Sequence, residues 1–305
     1  MAVAECEDGA VTFRSGFGCL VGRPNAGKST LTNALVGEKI VITSSKPQTT
    51  RHAVRGVLTR PDAQLILVDT PGLHRPRTLL GQRLNDVVRA TLAEVDVVGF
   101  CVPADQKVGP GDRFIVAELA ALSVPVIAIV TKTDAASKAQ VAQQLMTVSR
   151  LGQFAEVVPV SARRGDQVGL LADLFVARLP VGPMLYPDDV ITDNDLDTRI
   201  AELVREAALH GVHDELPHSI AVTVQERRPR AEQPELIEIF ATIHLERDSQ
   251  KGIIIGTGGV RLKQIGSTAR VGIETLLGRR VHLDLHVAVE SEWQRDPKKL
   301  DRLGF

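Results

Sequence analysis

The stretch Cys19–Leu35, "CLVGRPNAGKSTLTNAL", decides how this chain is read. A short apolar run ends at Gly22, small and polar residues lead to Gly27-Lys28-Ser29, and an apolar pattern of helical period follows. Gly22-x-x-x-x-Gly27-Lys28-Ser29 at the seam of a strand and a helix is a phosphate-binding loop in its confirming context. Glycines let backbone N–H groups converge on phosphate oxygens, and the helix N-terminus adds partial positive charge. Lys28 can then reach β- and γ-phosphates, and the Ser29 hydroxyl can ligate Mg²⁺. Asn25 sits in the middle of the loop, where asparagine often serves a turn conformation.

The loop alone chooses neither between ATP and GTP nor between kinase and hydrolase; three later motifs do. "LILVDTPG" puts Asp69 at a strand end, able to hold the Mg²⁺ shell, and Gly72 in a turn that can meet a γ-phosphate. "VTKTD" puts Lys132 and Asp134 just past another strand. A carboxylate there accepts from N1–H and the 2-amino group of guanine, two donors that adenine lacks. "PVSARRG" puts Ser161 and Ala162 after the last strand, where a backbone N–H can meet the guanine oxygen. All four motifs fall in order, each after a strand at one end of one sheet. The nucleotide-binding set is Gly22, Arg23, Pro24, Asn25, Ala26, Gly27, Lys28, Ser29, Thr30, Asp69, Thr70, Pro71, Gly72, Thr131, Lys132, Asp134, Ser161 and Ala162.

The wider chain fits a two-domain protein. It has 305 residues, and its 44% hydrophobic and 24% charged content suits a buried core and a soluble surface. Thirty-six basic and 37 acidic residues nearly cancel, which leaves room for a local basic face. Cys6, Cys19 and Cys101 show neither metal spacing nor a disulfide framework, so a reducing interior is expected. The acidic start reads as no signal peptide, and the run "VPVIAIV" is far short of a membrane span. Five short apolar runs, "FGCLVG", "AQLILVD", "DVVGFCV", "PVIAIVT" and "AEVVPVS", alternate with helical patterns, one of them Asp112 to Leu122. That alternation predicts a mainly parallel sheet with helices on both faces. The expected organisation is a tail over 1–15, a nucleotide domain over 16–179, a proline-rich linker over 180–191 and a second domain over 192–305.

The second domain reads α-β-β-α-α-β. Ile220, Val222 and Val224 alternate as one strand, Ile237 to Leu245 as the next and Val281 to Val289 as the last. Between the last two lies "KGIIIGTGG", with Gly256-Thr257-Gly258-Gly259 opening a basic helix. Lys251 to Arg280 holds six basic residues against one acidic, net +5, an electrostatic footprint for phosphate. His282, Asp284 and His286 share one strand face, but the outer two stand roughly 13 Å apart and cannot share an ion. They read as solvent-facing residues.

With "GRPNAGKSTLTNALVG", "KPQTTRH", "VDTPGLH", "VSA", "KGIIIGTGG" and "RLGF", the chain resembles the translation-factor-related GTPases, in particular the bacterial Era family, over nearly its whole length. The resemblance implies an α/β P-loop GTPase domain followed by an α+β type II KH domain. It implies GTP and GDP as ligands, with Mg²⁺ held by Ser29, Thr50 and Asp69. Lys28, Thr50, Gly72 and Asn25 are then the catalytic set, Thr50 being the switch threonine that meets Mg²⁺ and the γ-phosphate. Residues from about Lys39 to Arg51 form the first switch and from Thr70 to about Leu84 the second. Asn25 would help coordinate K⁺, beside its simpler role as a turn residue. Lys251, Ile254, Gly256, Thr257, Gly258, Gly259, Arg261, Lys263 and Arg270 form the expected single-stranded RNA site. Partners implied are the 3′ end of 16S ribosomal RNA and the small ribosomal subunit. The protein is expected as a cytoplasmic monomer, with membrane contact at most peripheral. Three departures stand out: Thr131 replaces the usual Asn, Ala26 a frequent Val, and the Thr257-Gly258 loop lacks its usual basic residue; Leu73, for its part, stands where many regulatory GTPases place a water-orienting Gln. Leu73 keeps open a rival reading, an RNA-binding protein whose nucleotide is structural or slowly turned over, with no ribosome-assembly role.

Overall fold

The computed structural model describes residues 12–44, 46, 49–51, 53–73, 78–212 and 219–304. Cys6, Pro47, Gln48, His52, His74 and Phe305 of the motifs above lie outside the described residues. The first domain runs β1 (Arg14–Val21), α1 (Lys28–Val36), β2 (Val54–Arg60), β3 (Ala63–Asp69), α2 (Leu79–Glu94), β4 (Val97–Pro103), α3 (Pro110–Leu119), β5 (Val126–Thr131), α4 (Lys138–Ser149), β6 (Glu156–Pro159) and α5 (Val168–Val176). Its strands are ordered β2-β3-β1-β4-β5-β6. All neighbours pair parallel except β2 with β3. The chain leaves β1 for β3 on one side and later returns to lay β4 on the other. The phosphate loop therefore sits at the switch point of the sheet, outside the carboxyl end of β1, where ligands of such sheets bind.

Strands β3, β4 and β5 are buried at every position, as strands covered on both faces must be. Val88 and Leu92 of α2, Ile115 and Leu119 of α3 and Val148 of α4 fill one face. Leu31 and Leu35 of α1 with Leu171 and Phe175 of α5 fill the other.

Three expectations need correction. Strand β2 is a sixth strand beyond the five apolar runs; Arg55, Thr59 and Arg60 break its pattern because it is an edge strand paired only with β3. Helix α3 begins two residues early, with Pro110 in its first turn and the Gly109 N–H donating to Asp112 Oδ2 at 2.8 Å. Strand β1 begins at Arg14, inside the expected tail. The proline-rich stretch, for its part, is docked and not a free tether. Ser15 N–H donates to Pro180 O and Gly182 N–H to Phe13 O. The fully buried Gln64 side chain accepts from Leu185 and Tyr186 N–H and donates to Tyr186 O, each at 2.8 Å.

The second domain is α6 (Leu196–Leu209), β7 (Ala221–Arg230), β8 (Gln233–Leu245), α7 (Asp248–Ile255), α8 (Val260–Leu277), β9 (Arg280–Val289) and a short α9 (Pro297–Arg302). Strand β7 pairs antiparallel with β8, and β8 parallel with β9. This is the expected KH arrangement, with Ile200, Val204, Ile239, Ile243, Ile265 and Ile273 in one core. His282, Asp284 and His286 are exposed on β9, and no metal-binding cluster exists among the described residues. The two domains also share a small core, in which Leu80 and Leu84 of α2 pack with Ala221, Trp293, Leu300 and Leu303.

Candidate functional site

Asn25 and Gly27 adopt φ of 62° and 89°, so the loop between β1 and α1 turns through left-handed backbone twice. Asparagine tolerates that conformation better than most side chains, and the turn role of Asn25 is borne out. Gly72 backs directly on the loop: a Cβ there would lie 2.9 Å from Pro24 N. The buried Lys28 Nζ donates to Gly22 O and Arg23 O at 3.1 and 3.3 Å, folding its ammonium into the loop. Burial lowers the Lys28 pKa, and the neighbouring Asp69 charge opposes that shift.

Below the loop, three segments converge. Ser29 Oγ lies 2.8 Å from Thr50 Oγ1, and both hydroxyls reach Asp69 Oδ2 at 2.9 Å. Thr32 Oγ1 donates to the other carboxylate oxygen at 3.3 Å. Burial raises the Asp69 pKa, while Lys28 and the three hydroxyls act in the opposite sense. Two hydroxyls and one carboxylate form a hard oxygen set, the kind Mg²⁺ accepts when water and phosphate complete its shell. The residues present therefore fit the ion that the sequence implied. Thr43, Ser44, Lys46 and Thr49 line the same cleft as Pro24–Thr30 and Gly72.

At the far side of the loop, Thr131 Oγ1 donates to Ala26 O at 2.6 Å. The threonine thus keeps the tie between base loop and phosphate loop that an asparagine would make. Lys132 turns the chain at φ 56°, and Asp134 follows in a short 3-10 turn. Ser161 Oγ donates to Asp134 Oδ1 at 2.7 Å. That bond holds the Asp134 carboxyl below its ordinary pKa, helped by Arg163 and Arg164, so it is an acceptor at neutral pH.

Several expected contacts are redirected. Arg23 Nε pairs with the buried Asp112 at 3.3 Å, which turns its charge toward α3. Thr70 Oγ1 donates to Leu20 O at 2.9 Å and so serves the sheet. The Ser161 N–H is committed to Asp166 O at 3.1 Å. Leu73 is buried in the core.

In the second domain, Gly256, Gly258 and Gly259 all adopt positive φ, and a Cβ on Gly258 would meet nothing within 4 Å. Thr257 and Gly258 are exposed, as are Lys263 and Arg270 on α8, while Lys251 is half-buried. Two candidates fall away. Ile254 is fully buried in the core and offers no surface to a base; its neighbour Ile253 is 50% exposed. Arg261, half-buried, donates to His210 O at 2.8 Å and Gly211 O at 3.4 Å, which commits its guanidinium to the end of α6.

Residues 18–132 match the family described as 50S ribosome-binding GTPase, and residues 215–294 match the KH domain. GTPase Era of Streptomyces coelicolor is 60% identical, with 98% of this chain and 97% of that protein covered. GTPase Era of a Nocardioides species is 62% identical, with 96% of each covered. Among solved structures, Aquifex aeolicus Era Y63A bound to GDP.AlF4⁻ superposes with a TM-score of 0.92 at 37% identity, covering 96% of this chain and 99% of that one. An Era in complex with MgGDPNP and nucleotides 1506–1542 of 16S ribosomal RNA superposes at 0.91, also at 37% identity and with the same coverage of the two chains.

The Thr131 tie is testable. Thr131→Val keeps shape but leaves the buried Ala26 carbonyl without its donor, a loss of about 1–3 kcal/mol. Denaturant unfolding should register that loss and GDP affinity should fall with it; an unchanged unfolding midpoint and GDP affinity would contradict the tie.

Proposed function

The chain belongs to the Era family of GTPases, binding GTP and hydrolysing it to GDP and phosphate, and we propose that hydrolysis governs its hold on single-stranded RNA at the 3′ end of 16S ribosomal RNA, during assembly of the small ribosomal subunit. The observation that carries the reading is the Ser29–Thr50–Asp69 oxygen cluster at the foot of the phosphate loop. The RNA half is supported by the KH fold and by the Era complex with the 16S fragment. A merely structural nucleotide is not favoured, since the relatives are GTPases. No helix among the described residues is long and apolar enough to cross a membrane. We place the protein in the cytoplasm as a monomer, with membrane contact at most peripheral.

Each residue has a role in this reading. Lys28 lays its charge against the β- and γ-phosphates, and the Gly72 N–H donates to the γ-phosphate. Ser29, Thr50 and Asp69 hold Mg²⁺, which when bound neutralises charge on the phosphate oxygens. Asp134 accepts from the guanine N–H groups, and the Ala162 amide meets the guanine oxygen. The buried Leu73 orients no water, so intrinsic turnover is slow. Asn25, exposed at the loop tip, helps hold K⁺ where leaving-group charge develops. Lys251, Ile253, Thr257 to Gly259, Lys263 and Arg270 form the RNA surface.

Three measurements test these assignments. Asp134→Asn turns an acceptor into a donor facing the base; GTP should weaken by about 1–3 kcal/mol and XTP should gain. Unchanged GTP affinity would remove Asp134 from the base site. Hydrolysis should run faster in K⁺ than in Na⁺, and Asn25→Ala should erase the difference while leaving GDP binding nearly intact; equal wild-type rates in the two salts would end the K⁺ role. Gly258→Asp puts bulk and negative charge where the loop approaches RNA phosphates. Anisotropy with a short single-stranded RNA should register at least about a tenfold loss, with GTP binding unaltered. Unaltered RNA affinity in that folded variant would contradict the RNA surface.

A further inference from the structure

The segment that carries Thr50 is held from the other domain. Thr49, Thr50 and Arg51 are consecutive, and each is fixed by a different partner. The Thr50 hydroxyl stands against Ser29 and Asp69. The Thr49 carbonyl accepts from Arg205 Nη2 of α6. The buried Arg51 donates from Nη1 to Ile220 O at 2.5 Å, and its guanidinium lies 5.6 Å from the centre of the Trp293 ring.

Arg205 is itself locked in place. It is 1% exposed, and Glu202, one turn earlier, accepts from its Nε at 2.7 Å and its Nη2 at 2.6 Å. One residue further along the same face, Glu206 accepts from the Thr43 N–H at 2.9 Å and from Lys39 Nζ at 2.5 Å. Positions 202, 205 and 206 are neighbours on one helix surface. One face of α6 therefore grips the 39–49 segment at three points.

Packing does not replace that grip. Thr50 and Arg51 line a cavity of about 500 Å³ that lies between residues 38–54 and helices α6 and α8. Ile42 packs beside that cavity into the core of Ile200 and Val204, whereas the Thr49 carbonyl and Arg51 are held by directional hydrogen bonds. The arrangement also carries a cost that docking alone does not require. Arg51 and Arg205 are like charges that are both buried, at 2% and 1% exposed. An apolar contact would join the domains without that cost. What the charged groups add is position: the Thr49 carbonyl and the Thr50 side chain are separated by one peptide unit, so holding the first narrows where the second can stand.

We infer that Arg205 is a positioning residue for GTP hydrolysis: by holding the Thr49 carbonyl, the second domain sets where the Thr50 hydroxyl stands over Ser29 and Asp69. The inference rests on the reading of Thr50 as the group that meets Mg²⁺ and the γ-phosphate. Catalysis is sensitive to displacements of about 1 Å at such a group, and a slackened carbonyl permits that much.

The test is a double-mutant cycle in the full-length chain, with single-turnover GTP hydrolysis and GDP affinity measured throughout. Arg205→Met keeps length and bulk but loses the donors, and Arg205→Lys restores charge and a single donor group. Arg205→Met should slow hydrolysis about tenfold or more, with GDP affinity within about twofold, and Arg205→Lys should recover part of the rate. In a Thr50→Ala background, Arg205→Met should change the rate by less than about twofold, because the group it acts through is gone. Equal slowing in both backgrounds, or no slowing in the first, would overturn the inference while leaving the Thr50 reading intact. Thr50→Ala hydrolysing at the parent rate would overturn the Thr50 reading and the inference with it. Should Arg205→Met fail to give a cooperative melt, Glu202→Gln, which loosens Arg205 without removing it, runs the same cycle with the same outcomes.

Discussion

Asp69 is a fully buried carboxylate at the end of β3 that accepts hydrogen bonds from Ser29, Thr32 and Thr50. A charge in that place is expensive unless it is paired and hydrogen-bonded. Lys28 supplies the opposite charge, and the three hydroxyls supply the bonds. Satisfying this one group therefore draws together the start of α1, the segment before β2 and the end of β3. It also fixes the geometry that phosphate and Mg²⁺ must meet. The position of Asp69 follows in turn from the sheet order, which puts β3 beside β1 and its phosphate loop.

From that carboxylate the constraint runs outward to the KH domain by two routes. One passes through Thr50 to its neighbours Thr49 and Arg51, and so to Arg205, Ile220 and Trp293. The other is α2 itself, whose Leu80 and Leu84 pack on Trp293, Leu300 and Leu303. The Thr50 segment and α2 thus end on the same patch of the second domain. A displacement of either segment therefore bears directly on the contacts around Trp293. Thr131 closes the arrangement on the other side by holding the base loop to Ala26.

Much of this was legible in the sequence, and the boundary of legibility has physical causes. The phosphate loop, Asp69 and Asp134 were readable because short spacings encode them, each after an apolar strand. Strands β7 to β9 were readable from alternation alone. Strand β2 was not, because an edge strand keeps polar residues and its identity comes from its partner β3. Thr32 reads as an ordinary helix residue until the fold brings Asp69 beside it. A count of basic residues cannot separate Lys263, which is exposed, from Arg261, which closes α6. Among the three consecutive isoleucines, helical phase decides that Ile253 faces out and Ile254 in. Arg205 gave no local signal at all, since every contact that gives it meaning beyond Glu202 comes from residues more than a hundred positions away.

Trp293 offers the most direct measurement of the account. It is the only tryptophan in the chain, fully buried, with Arg51 over its ring and Leu80 and Leu84 packed in the same cluster. Its fluorescence reports on both routes at once, with no label. Exchange of GDP for a Mg²⁺-bound, non-hydrolysable GTP analogue should change its emission maximum or intensity, and Arg205→Met should diminish that change. Superimposable Trp293 spectra in the two nucleotide states would contradict the claim that the phosphate site and the KH domain are mechanically joined.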